Sequence, residues 1–178
     1  MKIIGRLIVI LSALIMLTAC GQDKADVTIF ITDDKANPSL ISEELEQRLQ
    51  EKLGEELTVQ IVAAPMFVQQ KLMVEYAAGE NDIIILPENE MKRYGKEGTN
   101  IALDSYFDTE MYSDGVFEGG SLDAENNIKL EKHLYGIPVS QMKAFQDLQY
   151  TGEELYATIV PSADSKENAV KVLKALTE

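Results

Sequence analysis

The sequence predicts an α/β fold: a three-layer sheet whose strand order begins 2-1-3, with helices on both faces. Three observations predict it. From Val27 onward, short apolar runs alternate with stretches of helical period. Residues 83–86 form an unbroken Ile-Ile-Ile-Leu run, suited to a strand covered on both sides. The alternation makes two successive βαβ units, and right-handed crossovers then place the first strand between the second and third.

Residues 27–32 read as the first strand. Asn37 then offers an N-cap with Pro38 at the first helical position, and Ile41, Leu45, Leu49 and Leu53 form an i, i+4 stripe that ends at Gly54. A second strand at 57–64 stops at Pro65, and a second helix carries Val68, Leu72 and Tyr76 on one side before Gly79. Residues 82–86 are the third strand. From Tyr94 to Lys132 glycines punctuate a Tyr-rich, acidic stretch, which reads mostly as loops with short helical turns. Order returns at 134–139, an edge strand limited by Pro138, and at 155–160, a final strand stopped by Pro161. Ser165 caps a closing helix with Ala169, Val172, Leu173 and Leu176 on one face.

Residues 1–19 read as a leader. Lys2 and Arg6 are its only charges, and the apolar run at 7–19 is too short for the roughly 20 residues of a spanning helix. Leu17-Thr18-Ala19-Cys20-Gly21 resembles the bacterial lipobox, whose Cys thiol takes a diacylglyceryl group before cleavage leaves it first in the chain. Cys20 is therefore the expected lipidation site and membrane attachment, and residues 20–26 a short polar tether. An ordinary secretory signal and an uncleaved anchor are the alternatives. All three put residues 27–178, read as one domain, outside the cytoplasm.

Composition narrows the function. A chain of 178 residues buries a core without disulfides. With 16 basic against 30 acidic residues, a net charge of −14, it lacks the basic stripe that nucleic acid or an anionic bilayer requires. One Cys and one His offer little for a soft-metal site or a thiol nucleophile. No nucleophile elbow, P-loop or HExxH occurs, and His133 has no Ser or Asp at a recognisable motif spacing. Neither an enzyme nor a cofactor is expected.

Several segments, in order, resemble the extracellular solute-binding proteins of ABC importers, especially those serving sugars and oligosaccharides. They are the lipobox with the strand at 27–32; Val74-Glu75-Tyr76-Ala77-Ala78-Gly79-Glu80-Asn81-Asp82-Ile83-Ile84; Tyr94-Gly95-Lys96-Glu97-Gly98 leading to Leu103-Asp104-Ser105-Tyr106-Phe107; Leu134-Tyr135-Gly136-Ile137-Pro138-Val139; and Ser165-Lys166-Glu167-Asn168-Ala169-Val170-Lys171-Val172-Leu173. The resemblance implies a periplasmic-binding-protein-like lobe. In that family the chain crosses into a second lobe after the Tyr-Gly-Ile-Pro element, whereas here only residues 140–154 precede the returning strand. The chain thus resembles a single lobe with the second missing, offering half a cleft and weak binding. The family's sugar platforms are often Trp, and this chain has none.

In open α/β sheets the ligand crevice lies beyond the carboxyl ends of the strands where their order reverses. Here that means the loops at 32–34, 64–67 and 87–89. Asp33, Asp34, Phe67, Glu88 and Asn89 are the candidate ligand-binding residues. Asp33, Asp34, Glu88 and Glu90 together suggest a cation or a protonated ligand, but carboxylates at helix starts ordinarily serve the helix dipole or stay solvated. Phe67 offers a stacking face, or plugs the edge of the core. Asp123 to Asn127 looks like a calcium loop without its turn Gly and closing Glu, and reads as a polar loop. Two functions fit: a lipid-anchored binding protein for a small solute such as a sugar or peptide, working with an ABC permease, or an accessory envelope lipoprotein that docks another protein through residues 94–120.

Overall fold

The two-residue period of the strands divides the core into two halves. In β1 (Val27–Ile31), β3 (Ile83–Pro87) and β7 (Leu155–Ile159) every residue is buried, so both faces of the sheet centre are covered. Val27, Ile29, Ile31, Ile83, Ile85, Ala157 and Ile159 point to one side. There they meet Leu45, Leu49 and Leu53 of α1 (Ser42–Leu53), Phe145 of α4 (Lys143–Asp147), and Ala169, Val172, Leu173 and Leu176 of α5 (Lys166–Thr177). Phe30, Ile84, Leu86 and Tyr156 point to the other side, against Leu72 of α2 (Gln69–Ala78) and Met91 and Tyr94 of α3 (Glu88–Gly95). Three layers result. The computed structural model describes residues 24–122 and 128–178, so the leader at 1–19, Cys20, most of the tether and the polar loop at 123–127 lie outside the described residues.

The main sheet has the order β2-β1-β3-β7-β6, with β2 at Val59–Ala63 and β6 at Ile137–Pro138. β1 runs parallel to β2 and β3. β7 runs antiparallel to β3, and β6 antiparallel to β7. The helix joining β1 to β2 packs on one face and the helix joining β2 to β3 on the other, which is the 2-1-3 topology with its reversal at β1. The caps agree with the sequence: Asn37 accepts from the Ser39 N–H at 3.0 Å and Ser165 from the Asn168 N–H at 3.2 Å. A single 3₁₀ turn, Pro38–Leu40, precedes α1. The edge strand expected at 134–139 shrinks to Ile137–Pro138, since Leu134 ends a different strand.

The stretch from Tyr94 to Lys132 departs from the loop expectation. It holds β4 (Val116–Leu122), paired antiparallel with β5 (Ile128–Leu134) in a separate two-stranded sheet. The glycines that read as breakers permit close approach instead. A Cβ at Gly119 would lie 2.5 Å from the Tyr135 ring, and one at Gly120 would lie 2.6 Å from the Lys96 carbonyl oxygen. α3 was also unforeseen, although Glu88 and Glu90 in its first turn and Lys92 and Arg93 in its last match the helix dipole.

Candidate functional site

Beyond the carboxyl ends of β1 and β2 lies an open groove of ≈ 490 Å³, lined by Asp33, Asp34, Lys35, Ala36, Asn37, Met66 and Phe67. The end of each strand explains how its residues arrive there. β1 terminates at the bond from the Thr32 N–H to the Ile85 carbonyl, and the next carbonyl, of Asp33, accepts the Phe67 N–H at 3.0 Å. That bond ties the loop after β2 to the loop after β1 and brings Phe67 beside the two aspartates. Asp34 is exposed, Phe67 half-buried, and Met66 64% exposed. The groove offers an exposed carboxylate, an aromatic face and a thioether.

Asp33 is different in kind, being only 2% exposed. Its Oδ1 accepts the Lys35 N–H at 2.7 Å, and its Oδ2 accepts the hydroxyl of Tyr150. Burial, then the bond to Asp33, pushes the Tyr150 phenol well above the usual tyrosine range. Tyr150 belongs to the short connection between α4 and β7, which turns through left-handed residues at Gln149, Gly152 and Glu154. Its far end closes the rim: the Glu154 carbonyl accepts the Glu88 N–H at 2.8 Å, and its carboxylate pairs with Lys35 at 2.8 Å.

Of the five candidate ligand residues, Asp33, Asp34 and Phe67 share the groove. Glu88 and Asn89 stand apart from it on the first turn of α3. The side chain of Glu88 pairs with Lys92, Glu90 pairs with Arg93, and Asn89 accepts the N–H of Glu90 at 2.9 Å. These carboxylates are distributed among partners on their own helix and do not gather at one point. Among the described residues no three His, Cys, Asp or Glu side chains are placed to hold a metal ion.

Sequence reasoning missed Tyr150, Lys35 and Glu154. Tyr150 reaches Asp33 over 117 positions, a contact without a local signature. His133 does have an acidic neighbour, since its Nδ1 lies 3.2 Å from Asp104, whose other oxygen accepts the Leu134 N–H at 3.2 Å. Both side chains are more than a third exposed, and the contact fastens the hairpin to the preceding loop.

No protein-family model matches the chain, and no curated protein matches it. Among solved structures, the chain is similar to an extracellular solute-binding protein family 1 from Alicyclobacillus acidocaldarius subsp. acidocaldarius DSM 446, at 22% identity and a TM-score of 0.43 over 63% of this chain and 27% of that one. It is also similar to CpMnBP1 with mannotriose bound, at 21% identity and a TM-score of 0.38 over 65% of this chain and 28% of that one. The chain thus spans little more than a quarter of the length of either structure.

Proposed function

We propose that this is a non-enzymatic extracytoplasmic binding protein, anchored to the membrane by lipid on Cys20, that presents a single α/β lobe to a small solute and serves an ABC importer. The groove at the strand-order reversal carries the proposal, because it combines the Asp34 carboxylate with the Phe67 ring at the position where open α/β sheets bind ligands. Carboxylate and aromatic face together suit a polyol, whose hydroxyls donate and whose C–H faces stack. The lipobox and the ordered segments resembling importer components support the location and the partner. Asp33 positions the loops in this reading, while Asp34 and Phe67 touch the solute.

A thermal-shift screen of residues 21–178 against sugars, oligosaccharides and peptides tests it. A solute at about 100 times its dissociation constant adds about 2.7 kcal/mol. The expected result is a saturable rise with one chemical class, reduced in Asp34→Ala and Phe67→Ala. A panel without any shift sinks the solute reading and leaves the accessory lipoprotein in its place. Incorporation of labelled fatty acid in the full chain, lost in Cys20→Ala, tests the anchor separately.

A further inference from the structure

A strand edge with unpaired N–H and C=O groups is a template for another strand, and folded proteins normally close it. The edges of the main sheet are closed. On β2 the outward N–H groups of Val59 and Ile61 are taken by Gln50 Oε1 at 3.2 Å and Glu46 Oε2 at 2.6 Å, and β6 is two residues long and contains Pro138. In the hairpin, the 96–98 turn packs on the face of β4 at Gly120. The outer edge of β5 is open.

The bond from the Tyr135 N–H to the Gly115 carbonyl sets the register, so the odd residues of β5 bond to β4 and the even residues point their backbone groups outward. At Leu134 these outward groups are used, the N–H by Asp104 and the carbonyl by the Leu103 N–H. The N–H groups of Leu130 and Lys132 make no hydrogen bond among the described residues. Beside them Ile128 and Leu130 are 54% and 56% exposed.

We propose that β5 of one copy pairs antiparallel with β5 of a second copy about a two-fold axis through Leu130, joining two hairpins into one four-stranded sheet. The sequence of the edge selects this register. Only even residues can bond outward, so the axis must pass through a residue of β5 itself. An axis at Lys129 sets Lys129 against Lys129, and one at Glu131 sets Glu131 against Glu131, both like-charge pairs. An axis at Lys132 needs the backbone groups of Leu134 that Asp104 and Leu103 already hold. Through Leu130, Leu130 meets Leu130, Ile128 meets Lys132, and Lys129 faces Glu131 of the second copy twice. The existing Lys129 to Glu131 ion pair, at 2.6 Å, then becomes an alternating row of four charges. This strand carries two lysines against one glutamate in a chain of net charge −14, so the pairing does not bring two acidic surfaces together.

Sedimentation equilibrium of the full chain in non-ionic detergent, with hydrogen exchange read at individual amides, tests the pairing. The expected result is a dimer fraction that rises with concentration while exchange slows at Leu130 and Lys132. Lys129→Glu alone and Glu131→Lys alone each weaken association by roughly tenfold, because each creates two like-charge pairs. Mixing the two variants restores it, since every cross-copy pair is again opposite in sign, and this recovery also shows that both variants are folded. Leu130→Pro removes an outward N–H without touching a bond to β4, and abolishes the dimer. A monomer at every concentration up to millimolar, a dimer indifferent to these substitutions, or a mixture that fails to recover overturns the proposal.

Discussion

The Tyr150 hydroxyl donates to the Asp33 carboxylate, fastening the connection between α4 and β7 across the carboxyl end of β1. Because the Lys35 N–H donates to the other oxygen, both oxygens of this carboxylate hold a protein donor before any solute arrives. Tyr150→Phe keeps the ring beside Phe145, 6.0 Å between centroids, and deletes only the donor. The expected loss is about 1.5–3 kcal/mol, the range for a hydrogen bond to a charged group whose partner stays buried. Urea denaturation of the two proteins measures it. Equal midpoints would mean that water replaces the phenol and that the loop is held by other contacts.

The same phenol predicts behaviour in alkali. Burial pushes Tyr76, Tyr150 and Tyr156 above the ordinary tyrosine value of 10.0, Tyr156 up to about 12, where Glu88, Asp114 and Glu154 add to the effect. Each binds its proton more tightly folded than unfolded, so its contribution is complete below pH 10.0 and is lost as pH rises toward the folded value. Stability should fall steadily above about pH 10. Tyr150→Phe should make that decline shallower, as measured by urea midpoints across the alkaline range beside tyrosinate absorbance. A midpoint independent of alkaline pH would contradict the burial of these phenols.

At the opposite end of the sheet, Asp82 holds two chain segments together. Its Oδ2 accepts the Thr28 N–H and its Oδ1 the Asp164 N–H, each at 2.8 Å, and the side chain is buried. Asp82→Ala strands two donors, each costing about 1–3 kcal/mol. The expected destabilisation is roughly 3 kcal/mol in total, and Asp82→Asn should cost less because one acceptor oxygen remains. Thermal and urea unfolding distinguish the two variants. An alanine variant as stable as the parent would place water at both amides.

Sequence pattern disclosed those parts of the fold that are built from contiguous apolar residues. β1, β3 and β7 are runs in which every residue is buried, and α1 and α5 have stripes bounded by Gly54 and Ser165. β4 and β5 escaped because Gly119 and Gly120 carry no apolar signal, and because Ile128 and Leu130 lie on solvent. The location of the groove follows from topology, and Asp33, Asp34 and Phe67 line it while Glu88 and Asn89 do not. What each does there depends on Tyr150 and Glu154, whose contacts with Asp33 and Lys35 span most of the chain. Strand periodicity reports which face a residue occupies and is silent on its distant partner.

The closure of β2 is a property of α1 that can be removed without touching the core. Gln50 and Glu46 lie one turn apart on α1, so their side chains reach successive outward N–H groups of β2, and Ser39 donates to the outward carbonyl of Ala63 at 3.2 Å. An open parallel edge would otherwise run along Val59, Ile61 and Ala63, where the side chains are at most half-exposed and apolar. Glu46→Ala with Gln50→Ala substitutes a good helix former at both sites, so α1 should persist. The expected cost is about 1–3 kcal/mol for two lost hydrogen bonds, accompanied by concentration-dependent association through the uncovered strand. Light scattering at increasing concentration, with hydrogen exchange at Val59 and Ile61, reads both effects. Faster exchange at these amides in dilute solution and slower exchange as the double variant associates would establish that the two side chains guard the edge. A variant that remains monomeric with unaltered exchange would assign the protection to the backbone geometry of β2 instead.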